Sequence, residues 1–165
     1  MKRRTVTIEG YIMSDRSQKG SWWNAEEDSL YLLLNNSNKL GRDRMKYSLA
    51  HFISSKIDCD CKKRFIDTSN SEFQYERVLV CTADNIVIMY AIRSSKTTWE
   101  EIEEKYIKEL SGKLQIKENI LGNDEESIEV AELDLVIGGH DLGEELYDHI
   151  GEYLIMKISF DRKKL

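Results

Sequence analysis

Apolar residues recur along this chain with two periods, and the elements follow from them. Val6, Ile8 and Ile12 share one parity of residues 5–13, which predicts a strand with one buried face. Residues 29–34 form a short apolar run before Asn35 and Asn36. Asn24 with Glu27 offers a helix cap there, but the run reads better as a buried strand. Over residues 44–57, Met45, Leu49, Phe52, Ile53 and Ile57 recur at helical spacing behind Asp43, a capping residue. Residues 59–70 read as a loop with a short extended piece. The continuous apolar runs 77–82 and 86–92 flank Ala83, Asp84 and Asn85 and predict a buried hairpin.

Residues 97–110 carry the strongest helical pattern. Thr97 and Glu100 have capping-box spacing, Trp99, Ile102, Tyr106, Ile107 and Leu110 form a stripe, and Gly112 ends it. Strands follow over 114–120 and 128–137, around a turn at Gly122 and Asn123, with a phase slip between Val130 and Leu133 that predicts a bulge. Gly138 and Gly139 stop the second strand. A short helix over 142–149 leads to a last strand with Leu154, Met156, Ile158 and Phe160 on one face. Hairpins outnumber crossovers, so the expected class is α+β: a mainly antiparallel sheet of about six or seven strands with about three helices. The 165 residues are expected to form a single compact unit, with a sub-domain boundary near residues 94–97 as the alternative.

Composition narrows the class. Hydrophobic residues make up 41% of the chain, enough to build a core beside 33% charged residues. The longest unbroken apolar run, residues 86–92, is too short to span a membrane, and Glu9 and Gly10 interrupt the leader that Lys2, Arg3 and Arg4 imitate. A cytoplasmic protein with no membrane contact is expected. Three cysteines, an odd number, argue for free thiols over a disulfide framework. Proline is absent, and the richness in Ile, Lys, Glu and Asn suits an AT-rich genome, of a low-GC bacterium or its phage.

Charge divides the chain. Residues 1–96 hold 16 Lys/Arg against 12 Asp/Glu, a balance of +4, while residues 97–165 hold 8 against 18, a balance of −10; together they give the net −6. Glu100, Glu101, Glu103 and Glu104 crowd one segment, and Asp124, Glu125, Glu126, Glu129 and Glu132 surround a turn. Such a field attracts a basic partner and repels nucleic acid. Trp22 and Trp23 follow a polar stretch; an exposed tryptophan is a favoured interface anchor. In the basic half, Lys62, Lys63 and Arg64 precede Phe65, a small cluster suited to phosphate contact and base stacking, but Asp58, Asp60 and Asp67 surround it.

The candidates for chemistry are few. His51, Cys59, Cys61 and Cys81 offer four soft ligands, but one Cys-x-Cys is not the paired spacing of a structural zinc site, and no metal is expected. His140, Asp141 and His149 lie beside acidic residues, yet Asp141 with Glu144 three residues on is a helix cap, and no third, orienting group completes a catalytic set. Nucleophile elbow, P-loop and dinucleotide-binding patterns are absent from the sequence. The reading is therefore a small non-catalytic binding protein without cofactor. It would be an inhibitor, antitoxin-like, immunity-type or phage-encoded protein docking a basic, nucleic-acid-handling partner. Trp22, Trp23, Glu125, Glu126, Glu129 and Glu132 are the expected contacts. The alternative is a small enzyme or metal-binding protein using His140, Asp141 and His149, or His51 with the cysteines. Because the core suffices without staples, the chain should fold metal-free: a chelator at neutral pH should leave its circular dichroism spectrum unchanged.

Overall fold

The computed structural model describes residues 3–14, 30–33, 46–67, 75–123 and 128–162. They form β1 (Arg3–Ser14), β2 (Leu30–Leu33), β3 (Lys46–Ser48), α1 (Leu49–Lys56), β4 (Asp60–Asp67), β5 (Tyr75–Arg93), β6 (Lys108–Asn123), β7 (Ile128–Ile137), β8 (His140–Asp141), α2 (Leu142–Tyr147) and β9 (Tyr153–Asp161). Among the described residues nine strands join one sheet in the order β3-β2-β1-β9-β5-β6-β7-β8, with β4 also paired to β5. Every pairing is antiparallel. The sheet-rich α+β class holds, with more strands and fewer helices than expected. Trp22, Trp23 and Asp43 lie outside the described residues.

Strand β5 is the longest element, at 19 residues, and it replaces the expected hairpin over 77–92. Ala83, Asp84 and Asn85 do not reverse the chain. The register passes from Ala83↔Leu114 to Ile86↔Gly112, so Asp84 and Asn85 together oppose one residue of β6. This is a β-bulge, and Asn85 takes its left-handed position with φ of 56°. Both apolar runs pair with the same strand, β6, which a hairpin would have forbidden. Conversely, the bulge expected in β7 is absent: Leu114↔Ile137 through Asn123↔Ile128 is one unbroken register. An apolar residue on the less buried face leaves register untouched, as the half-buried Val136 does.

The expected helix over 97–110 is also replaced. Trp99–Glu101 and Glu104–Tyr106 are isolated 3-10 turns, and Lys108, Glu109 and Leu110 pair with Tyr90, Met89 and Ile88. A helix would stack the glutamates of this segment at three- and four-residue spacing, where like charges repel. The sheet instead satisfies the backbone of residues 108–110 while Ile102 is buried against Ala91, Tyr153 and Ile155. Trp99 lies under Lys157 at 4.7 Å, and Tyr106 under Arg93 at 4.2 Å. Two further expectations shift. The helix over 44–57 begins at Leu49, because Lys46–Ser48 pairs with β2 as β3. Residues 60–67, expected within a loop, form β4 along β5.

The main core lies on one face. Ile8 and Ile12 of β1, Ile88 and Tyr90 of β5, and Leu154, Met156, Ile158 and Phe160 of β9 meet Leu49, Ala50 and Ile53 of α1 and Leu142 and Leu146 of α2. The opposite parity of β9 is buried too, under the segment carrying Trp99, Ile102 and Ile107. Strand β9 is therefore covered on both faces, and it pairs with β1 on one edge and β5 on the other.

At the turn after β7, Gly138 has φ of 56°, and a Cβ there would sit 2.2 Å from the Ser111 carbonyl oxygen. Gly139, with φ of 80°, faces open space. Gly138→Ala should therefore destabilise the protein by at least about 1 kcal/mol more than Gly139→Ala, which carries the backbone strain alone. Denaturant midpoints of the two variants check this.

Candidate functional site

The α2 end of the sheet builds an open cleft of about 610 Å³. Its floor comes from register: Tyr90 and Lys108 are direct partners across β5 and β6. Its wall comes from the turn and cap before α2. Asp141 is the N-cap, and its Oδ1 accepts a hydrogen bond from the Glu144 backbone N–H at 3.0 Å, as the sequence spacing implied. With the helix set by that cap, Glu145 reaches down to the strands. The Tyr90 hydroxyl donates to Glu145 Oε2, and Lys108 Nζ donates to Glu145 Oε1 at 2.5 Å. His140 Nε2 stands 3.7 Å from Glu145 Oε2. Glu109, Leu110, Asp141, Glu144 and Asp148 complete the lining.

Two ionisable groups here are moved from their ordinary values. Burial alone would raise the Glu145 carboxyl, but the hydrogen bonds from Lys108 and Tyr90 and the Lys108 charge outweigh it and hold the carboxyl below the usual range. Burial, then the hydrogen bond to Glu145 and its charge, push the Tyr90 hydroxyl well above its usual value. At neutral pH Glu145 is thus a fixed anion and Tyr90 a fixed donor. Neither is poised to exchange a proton near pH 7, the property a general acid or base requires.

Of the residues grouped by the enzymatic reading, His140 and Asp141 both line this cleft, and His149 is not part of its lining. His140 faces Glu145, whereas His149 is paired through Nδ1 with Glu152, and Asp141 is occupied as a cap. Cys59, Cys61 and Cys81 do converge, while the side chain of His51, on α1, lies outside the described set. Among the expected contacts, Trp22, Trp23, Glu125 and Glu126 lie outside the described residues. Glu129 and Glu132 are placed only by register, opposite Gly122 and Asn119. The Lys63, Arg64 and Phe65 cluster lines a second cleft of about 360 Å³ with Arg77, Val78, Leu79 and Glu118. Phe65 is 63% exposed and stacks on Tyr75 at 5.9 Å. Sequence reasoning missed Tyr90 and Lys108; a tyrosine inside the aliphatic run 86–92 was the only signal.

No protein-family model, curated protein or solved structure matches the chain. No helix among the described residues is long and apolar enough to cross a membrane.

Glu145→Gln removes the charge that the bonds from Lys108 and Tyr90 recognise and should cost about 1–3 kcal/mol. Because the carboxyl is held below its ordinary value, its contribution is complete above the unfolded-state pKa of about 4.3 and is lost as pH falls through the lower folded-state value. The acid limb of a stability profile should therefore be shallower in Glu145→Gln than in the parent, as denaturant midpoints across that range would show.

Proposed function

We propose that this chain is a non-catalytic binding protein that docks a basic, nucleic-acid-handling partner through the acidic cleft at α2. One observation supports it most: five carboxylates (Glu109, Asp141, Glu144, Glu145 and Asp148) line that cleft against a single lysine. Lys108 is committed to Glu145, while Glu109, Asp141, Glu144 and Asp148 are exposed. Their field extends over the screening length of roughly 8 Å at physiological salt and accelerates encounter with a cationic surface. Fixed ionisation of Glu145 suits recognition better than catalysis. Glu125, Glu126, Glu129 and Glu132 add to the negative balance of the back half, and Trp22 and Trp23 remain the proposed apolar anchors.

A second reading, nucleic-acid contact by the basic half, is favoured by the Phe65–Tyr75 stack with Arg77 lying 5.5 Å over Tyr75. Capture of partners on the immobilised chain, with and without nuclease, separates the two. For the docking reading, the captured protein should be basic. Its on-rate should fall steeply between 0.01 M and 0.15 M salt, where the screening length shrinks from about 30 Å to about 8 Å. Charge reversal at Glu109, Glu144 and Asp148 to Lys should slow association with little change in the off-rate. Binding indifferent to both salt and reversal would sink this reading.

A further inference from the structure

The docking reading leaves one group of side chains unused. Cys59 follows α1, Cys61 is the second residue of β4, and Cys81 lies within β5. Cys61 and Cys81 are direct partners in the β4–β5 register, so both side chains leave the same face of the sheet. The short connection from α1 brings Cys59 to them. The Cys61 Sγ lies 2.7 Å from that of Cys81 and 3.1 Å from that of Cys59, and all three sulfurs fall within 4.8 Å of one another. None of the three is in a disulfide, and the Cys59 thiol also donates to the Ser54 carbonyl at 3.6 Å.

Packing accounts for only part of this. Cys81, at 1% exposure, behaves as a small hydrophobe, but Cys61 is exposed and fills no core. Thiols are weak donors and weak acceptors, so mutual hydrogen bonding gives little reason for three to converge. A cross-strand disulfide would use two and leave the third unexplained. Three sulfurs meeting at one point, with one side buried and the other open to solvent, is the donor set of a soft cation.

We propose that Cys59, Cys61 and Cys81 form a thiolate site for a thiophilic d10 metal ion, Zn²⁺ or Cu⁺, with a remaining coordination position open on the Cys61 side. Around a tetrahedral ion with bonds of about 2.3 Å the sulfurs stand about 3.8 Å apart, so the two close pairs need to spread by roughly 0.7–1.1 Å. Side-chain rotation on β4, whose Cys61 is exposed, supplies that. Binding a divalent ion to three thiols forms three metal–sulfur bonds, sends three protons to solvent and leaves a complex of charge −1. Because the sulfurs bind as thiolates, the ion competes with protons at all three, and affinity rises with pH. The bound ion would clamp the exit of α1 to β5, adding stability to a fold that forms without it.

The test titrates the full-length, fully reduced chain with Cd²⁺ and follows the ultraviolet thiolate-to-cadmium charge-transfer band. A single equivalent should saturate the band with release of protons. Competition by Zn²⁺ and, anaerobically, by Cu⁺ then ranks the two biological ions. Saturating Zn²⁺ should raise the thermal midpoint, as any ligand specific for the folded state does. Cys61→Ser and Cys59→Ser should each weaken Cd²⁺ binding by at least about tenfold and abolish the thermal shift. These two positions carry the test because Cys81→Ser puts a hydroxyl in the core. Absence of the band in a chain whose three thiols all titrate, or an undiminished band in folded Cys61→Ser, overturns the proposal.

Discussion

The long strand β5 is shared by both halves of the fold, and its backbone pairing sets the position of nearly everything else. Strand β6 runs along one edge of it. Along the other edge two neighbours divide its length, β4 from Tyr75 to Thr82 and β9 from Val87 to Arg93. The bulge at Asp84 and Asn85 falls in the gap between those neighbours. A bulged strand leaves ladder groups unpaired, and here a side chain answers. Arg3 Nη1 donates to the Asn85 carbonyl at 2.7 Å and to Asp161 Oδ1 at 3.0 Å, while Nη2 donates to the Ser159 carbonyl at 3.1 Å. One guanidinium thus ties the first strand, the bulge and the last strand together. The thiol group hangs on β5 before the bulge, and the Tyr90–Glu145 contact hangs on it after.

How far the sequence was legible follows from the same strand. Residues 128–137 and the alternation of Leu154, Met156, Ile158 and Phe160 marked β7 and β9 because one face of each is apolar. The Asp141 cap was legible because it is local. The turn expected at 83–85, the segment 97–110 and residues 60–67 were misread for one reason: their outcome is set by partners distant in the chain. Local spacing favoured a helix over 97–110, but Leu110 pairs with Ile88, and tertiary pairing overrides propensity of a few tenths of a kcal/mol per residue. The Tyr90–Lys108 and Cys61–Cys81 pairs exist only once that register is known, so no motif announces them.

Charge in the back half is distributed over both faces of the sheet. The exposed Glu100, Glu101, Glu103 and Glu104 ride on the segment whose Ile102 packs against Ala91, Tyr153 and Ile155. Asp141, Glu144 and Asp148 belong to the α2 side, where Leu142 and Leu146 enter the main core. Only the second group surrounds a cleft with a fixed hydrogen-bonded floor. A diffuse acidic surface gives solubility and long-range attraction, whereas orientation requires groups held in place. Lys108 and Tyr90 provide that on the α2 side by holding Glu145.

The position of β9 has a consequence for how the chain folds. It is the last of the described strands in sequence, yet it sits in the interior of the sheet between β1 and β5, with Arg3 opposite Asp161. Until β9 is in place, β1 and the latter half of β5 have no partner on the edges they will share with it. Closing that gap joins residues about 158 positions apart, so loop entropy must be spent before the contacts repay it, and folding of such sheets is slow. During synthesis the two flanking edges remain open templates for strand pairing with other chains, and completion of the sheet is what removes that hazard.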